Sequence, residues 1–293
     1  EIPLRLVGSE MCIRDSSQKK VEAASTGKLS VTGYQDYNDA QKILKEVNKY
    51  RKKNGRKALK MDRGLTNSAI MRGFETTIYI PETSPHRRPN GKLSKSINKK
   101  IIYENCAQSA ETTPKQIVKG WINSSTHRKG LLLSNAKSVG VAAVTVVSRD
   151  GYEANTWVLD FSSSKAKKVE KSKARKQFTK NIVTKNSYLK KSYLKLDSRY
   201  GTIWETEKMQ MKPTYQGKMM KEYGVYPTVI NTSSFTSWKS SNPSVASVDS
   251  NGRITGNKAG TVTISAKLKT GTKITISKKI KVVPTNQQID PWE

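Results

Sequence analysis

The chain has 293 residues and a formal net charge of +31, because 54 Lys and Arg residues outnumber 23 Asp and Glu residues. That length suffices for two domains of ordinary size. The charge favours anionic partners such as nucleic acid, acidic lipid headgroups or the phosphate-rich polymers of bacterial walls. No apolar run approaches the roughly 20 residues that span a bilayer, so no transmembrane segment is predicted.

The first 34 residues are predicted to lie outside any core. Residues 11–16, Met-Cys-Ile-Arg-Asp-Ser, are typical of a translated sequencing adapter, and position 1 is not Met. We interpret residues 1–16 as an artefact that replaces the native start and its signal peptide, and residues 17–34 as a flexible lead-in. A genuine, divergent N-terminus is the alternative. Without this segment Cys106 is the lone cysteine, interpreted as a small buried residue.

Three helices are predicted in the region from residue 35 to residue 164. Apolar residues at helical spacing indicate a first helix that begins near Asn38 or Asp39, either of which could cap it. A second helix begins after Asp62, and a third opens at Thr113-Pro114, because proline suits a first helical turn. The residues that these helices should bury are Ala40, Ile43, Leu44, Val47, Tyr50, Leu65, Ala69, Ile70, Phe74, Ile117, Val118 and Trp121.

Two strands are predicted at the end of this region. Residues 139–147 form a nearly continuous β-branched apolar run, which is typical of a strand buried on both faces. After a turn at residues 149–151, Trp157, Leu159 and Phe161 alternate with polar residues. Helices beside such a sheet indicate a mixed α and β domain over residues 35–164.

A strongly basic segment follows. Residues 165–195 hold twelve Lys or Arg residues against one acid, Glu170. Such charge density opposes compaction, so residues 165–192 are interpreted as a solvated basic linker that could also bind polyanions. The side chains expected to bind them are Lys167, Lys168, Lys171, Lys173, Arg175 and Lys176.

The region from residue 193 to residue 284 is predicted to be all-β, with residues 285–293 as a tail. Asn251-Gly252 is a tight-turn signal. Residues 261–266 alternate between polar and apolar side chains, as in a strand with one face in a core. Several short strands over about 100 residues are typical of a β-sandwich.

The chain has only two histidines, and each lies in a motif suited to chemistry. His86 stands in Pro-His-Arg-Arg-Pro-Asn-Gly, His127 follows Trp121 in Trp-Ile-Asn-Ser-Ser-Thr-His-Arg, and Glu104-Asn105 lies between them. Imidazole titrates near neutral pH and is the commonest metal ligand. We therefore predict that His86, Glu104 and His127 share a site.

These motifs, in this order, resemble the CAP superfamily (cysteine-rich secretory, antigen 5 and pathogenesis-related 1 proteins) in its compact bacterial form. Five motifs in family order are specific, where any one alone would be weak. The resemblance covers about residues 37–163 and implies an α-β-α sandwich with a surface cleft lined by His86, Glu104 and His127. A fourth cleft acid of longer members is not matched, because Ser124 stands in its place. The matching segments are residues 43–51, 86–91, 104–105, 121–128 and 138–141.

Two imidazoles and one carboxylate form a partial ligand set for zinc, so His86, Glu104 and His127 are candidate metal ligands and zinc is the candidate cofactor. Without a metal, a glutamate beside a histidine raises the imidazole pKa and could support acid–base chemistry. No nucleophile or complete triad is evident. Asn105 is a candidate cleft residue, although a bond from its side chain to a buried turn is favoured. A purely structural role for both histidines is the remaining alternative.

A second resemblance covers the C-terminal region. Residues 238–249, the Asn251-Gly252 turn and residues 259–264 are similar to bacterial immunoglobulin-like domains of group 2 (BIG2). This implies an immunoglobulin-like spacer or adhesion module over about residues 195–284. The predicted fold class is therefore α+β, a CAP α-β-α sandwich followed by an all-β immunoglobulin-like sandwich.

These observations together predict a monomeric, extracellular or cell-wall-associated bacterial binding protein rather than an enzyme. Its partners would be anionic cell-wall polymers or surface glycans, together with an unidentified cleft ligand. A metal-dependent hydrolase or peptidase that uses the His/Glu cleft is the first alternative. The second is a polyanion or nucleic-acid binder that acts through the basic linker. The linker lacks regularly interleaved aromatic residues, which disfavours nucleic acid.

Overall fold

The computed structural model describes residues 5–6, 26–78, 86–109, 112–198, 200–222, 224–270 and 273–285. Residues 1–16, interpreted above as an artefact, lie outside the described residues except for a two-residue strand, Arg5–Leu6. The predicted tail lies outside them beyond residue 285.

Helices are concentrated in the first half of the chain and strands in the second. The helices are α1 (Tyr37–Lys53), α2 (Arg63–Ile78), α3 (Pro114–Asn123), α4 (Ser125–Leu131) and α5 (Lys218–Glu222). The strands are β1 (Arg5–Leu6), β2 (Thr26–Asp36), β3 (Lys60–Met61), β4 (Tyr103–Ser109), β5 (Ser138–Val147), β6 (Glu153–Ser162), β7 (Arg175–Lys185), β8 (Leu194–Asp197), β9 (Thr202–Trp204), β10 (Lys208–Gln210), β11 (Lys212–Tyr215), β12 (Thr228–Val229), β13 (Phe235–Ser240), β14 (Ala246–Val248), β15 (Arg253–Gly256), β16 (Gly260–Leu268) and β17 (Thr275–Val283). Among the described residues, no helix combines the length and apolar character needed to cross a membrane.

One large sheet organises the N-terminal domain. Its strand order is β1-β4-β6-β5-β2-β7, with β3 paired to β5. On one face, Ala69 and Phe74 of α2 pack with Cys106 of β4. On the other face, α1, α3 and α4 cover the sheet, and Trp121 packs with Val141. These three layers are the predicted α-β-α sandwich.

The first helix starts slightly earlier than predicted. α1 begins at Tyr37, and the carboxylate of Asp36 caps it by accepting a hydrogen bond from the Asp39 amide at 2.9 Å. Asp36, and not Asn38 or Asp39, is therefore the capping residue, as its side chain satisfies an amide that has no partner within the helix.

Other local predictions are confirmed. α2 begins directly after Asp62. α3 opens at Pro114 behind a capping box, in which Thr113 and Gln116 bond to each other's backbone amides. β5 is buried along nearly its whole length, as its apolar run predicted.

The two segments that were expected to be flexible pair with each other instead. β2 and β7 form an antiparallel ladder that runs from Thr26–Lys185 to Asp36–Arg175. Residues 26–34 are therefore not a flexible lead-in, and the prediction of a solvated linker over residues 165–192 is wrong for residues 175–185. Charge density misled the prediction, because strand alternation buries the opposed pair Leu29 and Ile182 while most basic side chains remain in water.

The C-terminal strands form the predicted immunoglobulin-like sandwich. A four-stranded sheet, β13-β16-β17-β9, is accompanied by the three-stranded sheets β10-β15-β14 and β12-β11-β8. Ile254 of β15 is buried in one core with Val262 and Ile280 of the four-stranded sheet. The predicted Asn251-Gly252 turn joins β14 to β15, and the positive φ of Gly252 (+71°) favours glycine there.

The two domains are in close contact. Buried apolar residues of the C-terminal domain form one continuous cluster with those on the α2 side of the large sheet. The Thr228 hydroxyl donates a buried 2.7 Å hydrogen bond to the Thr77 carbonyl, and the Asn231 amide donates to the Ser30 carbonyl at 2.7 Å. The C-terminal domain is therefore docked against the end of α2 and against β2.

Candidate functional site

A buried ion cluster lies between α2 and β4. Arg72 and Glu75 are three residues apart on α2, so both side chains lie on the same side of the helix, and neither is exposed to solvent. On β4, Glu104 and Cys106 leave the strand toward α2, while Asn105 between them leaves toward the opposite face. Strand alternation therefore divides the predicted Glu104-Asn105 motif between two faces of the sheet.

Arg72 is the centre of this cluster. Its Nε and Nη2 atoms donate to the two carboxylate oxygens of Glu104 at 2.8 and 3.1 Å, and its Nη1 atom donates to Glu75 at 3.0 Å. Burial alone would raise the pKa of Glu104, but Arg72 and the hydrogen bond from His86 outweigh it and lower that pKa to about 2. Glu104 is therefore a carboxylate at neutral pH, and a guanidinium already holds both of its oxygens.

The loop of residues 86–91 is fastened to this cluster at two points. His86 Nδ1 lies 2.9 Å from a Glu104 oxygen, and the His86 side chain is 26% exposed. Arg88 donates from Nε and Nη2 to a Glu75 oxygen at 2.9 and 2.7 Å. The predicted contact between His86 and Glu104 is thus present, and it holds a surface loop against buried charges.

Two further ionisable groups adjoin the cluster. Burial and the nearby Glu104 raise the pKa of the Cys106 thiol well above its ordinary value. Asp160 pairs with Glu104 across β4 and β6, is fully buried, and has no hydrogen-bond partner for either oxygen among the described residues. Burial, reinforced by Glu104, raises the pKa of Asp160 well above its ordinary value. Cys106 is therefore a thiol, and Asp160 is held in its neutral form.

His127 lies on α4, against the opposite face of β4 from Arg72. Its Nδ1 atom is 2.8 Å from the Ser124 hydroxyl, and its backbone carbonyl accepts a 3.0 Å hydrogen bond from the Asn105 side chain. The His127 residue is buried. Asn105 was expected to bond through its side chain to a buried turn; the bond to backbone is present, but its acceptor lies in α4 and not in a turn.

The donor set does not fit zinc. Among the described residues, His86, Glu104 and Cys106 are the group of three potential ligands whose atoms lie within 4.8 Å of one another, and His127 is not part of it. Zinc binds thiolates and available carboxylate oxygens, whereas Arg72 already holds both oxygens of Glu104 and burial opposes ionisation of Cys106. The expected ligand set of His86, Glu104 and His127 is not assembled as one such group, because His127 lies against the opposite face of β4. A ligand cleft shared by the two histidines stays a prediction.

Sequence reasoning did not identify Arg72, Glu75 and Asp160 as partners of the site. Arg72 and Glu75 do carry a signal, because a charged pair at helical spacing interrupts the otherwise small and apolar side of α2 that faces the sheet. Asp160 is one of the polar residues that alternate with Trp157, Leu159 and Phe161 on β6, and it is buried because α2 packs against that strand.

The six basic residues predicted to bind polyanions are all exposed; they are Lys167, Lys168, Lys171, Lys173, Arg175 and Lys176. They lie just before and at the start of β7, an edge strand of the large sheet. Arg175 stacks 4.6 Å from the centroid of the Tyr34 ring and also contacts Glu153 at 2.9 Å. Arg175 and Lys176 therefore stand on a paired strand, and the other four cations lie in the segment that leads into it.

Comparisons with known proteins identify two domain families. Residues 44–161 match the CAP family, described as the cysteine-rich secretory protein family, and residues 216–280 match the bacterial Ig-like domain of group 2. The chain therefore contains a CAP domain followed by a bacterial Ig-like domain.

A curated relative is the uncharacterized protein YkwD of Bacillus subtilis, which is 30% identical over 133 residues, or 44% of this chain and 49% of the relative. The match thus spans about half the length of that relative. Similar solved structures include an extracellular SCP-domain protein from Bacillus anthracis (19% identity, 43% of this chain and 41% of that one, TM-score 0.32). An outer surface protein from Borrelia burgdorferi (17%, 44% and 98%, 0.34) and an EHEC O157:H7 intimin mutant (24%, 31% and 46%, 0.22) are also similar.

Proposed function

We propose that this protein is an extracellular binding protein that attaches to anionic cell-wall polymers and does not act as an enzyme. The combination of a CAP domain with a bacterial Ig-like domain supports an extracellular location. The net charge of +31 supports a polyanionic partner, because such a field attracts and retains linear anions.

The observation that carries the proposal is the exposed basic strip, defined as Lys167, Lys168, Lys171, Lys173, Arg175 and Lys176. Arg175 and Lys176 stand on β7 at the edge of the large sheet. The other four lie in the segment that leads into β7, where the Lys168 carbonyl accepts a 2.8 Å hydrogen bond from the Arg63 amide. A ligand that binds this strip does not have to immobilise a flexible chain first, which lowers the entropic cost of association. Several exposed cations along one short segment favour a polymer with repeated phosphates over a single small anion.

The chemistry of the buried cluster supports binding over catalysis. A carboxylate whose pKa is about 2 is a poor proton acceptor near neutral pH. Arg72 also occupies the oxygens that a catalytic metal would need. In this proposal the cluster positions the 86–91 loop, and the partly exposed His86 contributes to the surface that meets the cleft ligand.

The test is retention of the purified protein on isolated bacterial walls with and without teichoic acid, over a range of salt concentrations. Replacing the six strip residues by Gln should weaken retention by teichoic-acid-bearing walls about tenfold or more, because each lost cation removes a charge contact. The matched control replaces six exposed Ig-domain lysines by Gln: Lys239, Lys258, Lys267, Lys269, Lys279 and Lys281.

Equal losses of wall retention in both six-residue variants would show that only net charge matters. That result would contradict the proposal that the strip is the binding site. Retention that does not depend on teichoic acid would contradict the wall-polymer partner, and tighter retention on DNA would favour the nucleic-acid alternative. His86→Ala combined with His127→Ala tests the cleft separately, since neither residue belongs to the strip.

A further inference from the structure

A cavity of about 490 Å³ opens where the 86–91 loop of the CAP domain meets the start of the C-terminal domain. Its cationic lining residues include Arg87, Lys185 and Lys190. No acidic residue belongs to the lining among the described residues. The volume lies within the range of small-molecule sites, roughly 300–1,000 Å³. This charge and size favour a compact anion larger than phosphate.

Aromatic rings form a fixed wall of the same cavity. Tyr193 and Tyr215 meet edge to face with their ring centroids 6.4 Å apart, and Tyr215 donates a 2.9 Å hydrogen bond to the Tyr188 carbonyl. Burial raises the pKa of Tyr215, so the phenol stays neutral. Met220 and Ile78 add buried apolar surface. The wall can therefore pack against the apolar C–H faces of a ring, which a simple anion does not possess.

The cations are held around this wall. Lys190 Nζ lies 5.7 Å from the centroid of the Tyr193 ring. The Lys185 amide donates to the Pro89 carbonyl at 3.0 Å, and its side chain lies over Gly91, whose φ of +83° and lack of a Cβ permit this contact. Loop and strand are thus joined at the edge of the cavity.

The 86–91 loop connects the cavity to the buried cluster. His86 and Arg88 are both fixed to buried carboxylates, on Glu104 and Glu75. Arg87, between them, lines the cavity and donates a 3.0 Å hydrogen bond to the Gly91 carbonyl. A guanidinium fixed in this way can bind an anion without the entropic cost of ordering its loop.

We infer that this cavity binds a sugar phosphate: its phosphate on Arg87, Lys185 and Lys190, and its ring against Tyr193 and Tyr215. The inference rests on the proposed extracellular role only for the source of that ligand, which would be a phosphate-bearing glycan of the wall. Binding of the sugar phosphate itself is a separate property, and it uses none of the six strip residues.

The experiment is calorimetric titration of the full chain with glucosyl phosphate, inorganic phosphate and glucose. We expect glucosyl phosphate to bind more tightly than either of the other two. The double variant Lys185→Gln, Lys190→Gln should weaken its binding about tenfold or more, because charge-assisted contacts are the strong ones. The double variant Lys258→Gln, Lys279→Gln removes the same charge from exposed positions elsewhere and should bind like the wild type.

Tyr193→Leu tests the ring. This variant should bind glucosyl phosphate more weakly than the wild type and bind inorganic phosphate with unchanged affinity. Thermal unfolding checks that it is folded. Lys190→Gln alone, at an exposed position, serves as a second charge variant that leaves the core untouched.

Equal affinity for inorganic phosphate and glucosyl phosphate would overturn the inference, as would wild-type affinity in the Lys185→Gln, Lys190→Gln variant. If either result were found in a protein that is still retained on walls, the proposal that the basic strip binds the wall would stand without the cavity. Loss of wall retention in the strip variant with glucosyl phosphate binding unchanged would support two separate sites.

Discussion

Two buried arginines on opposite faces of the large sheet are stabilised in different ways. Arg51 of α1 donates to three backbone carbonyls, those of Lys57, Leu131 and Leu133, at 2.9, 2.6 and 3.2 Å. Arg72 of α2 donates to two carboxylates. Burial lowers the pKa of Arg51. For Arg72 burial acts in the same direction, but Glu104 outweighs it and raises the pKa.

The two arginines therefore have different roles in the fold. Arg51 satisfies neutral carbonyl groups where α4 ends, so its loss leaves unsatisfied dipoles. Arg72 compensates negative charge on two buried carboxylates, so its loss leaves buried charge incompletely compensated, which costs more. The α2 face is therefore the part of the molecule most sensitive to the loss of one charge.

The largest effect is expected from Arg72→Met. It should lower the free energy of unfolding by about 4 kcal/mol, because Glu104 would remain buried without a guanidinium and Glu75 would keep only that of Arg88. Arg51→Met is the matched comparison and should cost about 2 kcal/mol, as only carbonyl hydrogen bonds are lost. Denaturant unfolding of both variants measures the difference, and equal losses would contradict the distinction between the two faces.

Asp160→Asn should alter how stability depends on pH. The folded state holds the Asp160 proton more tightly than the unfolded state, so stability is complete below the ordinary Asp pKa and falls as pH rises above it. Relative to the variant, which cannot ionise there, the wild type should lose up to about 1.4 kcal/mol per pH unit above that value. Unfolding free energies measured from pH 4 to pH 7 test this, and parallel curves would show that Asp160 is not neutral.

The smallest effect is expected on the α4 side. Ser124→Ala should cost about 1 kcal/mol, because the buried His127 ring would lose the hydroxyl at its Nδ1 atom. Ser125→Ala, at the exposed neighbouring position, is the control and should be close to neutral. A loss in Ser125→Ala as large as in Ser124→Ala would mean that the helix terminus, and not His127, accounts for the effect.

Much of the fold could be predicted from the sequence because its signals are local. The start of α3 at Thr113-Pro114, the continuous apolar run of β5 and the Asn251-Gly252 turn each depend on a few neighbouring residues, and the structure confirms them. The fold class, a CAP sandwich followed by an immunoglobulin-like domain, is also confirmed, since the motifs for both domains stand in the chain in order.

The remaining features depend on contacts distant in sequence. β7 is a strand only because β2 pairs with it, and its charge alone predicted a linker. At the site, the contact of His86 with Glu104 was expected, but the role of Arg72 was not, because nothing within its own helix indicates that β4 places a carboxylate opposite it. Whether His127 shares a ligand with His86 stays a prediction.

The central claim is that Arg72, and not a metal ion, compensates Glu104. Calorimetric titration of zinc into the wild type, His86→Ala and His127→Ala tests it most directly, in a buffer that does not bind zinc. We expect no zinc binding that depends on both histidines. One zinc ion bound tightly per wild-type chain, and lost in each variant, would contradict it.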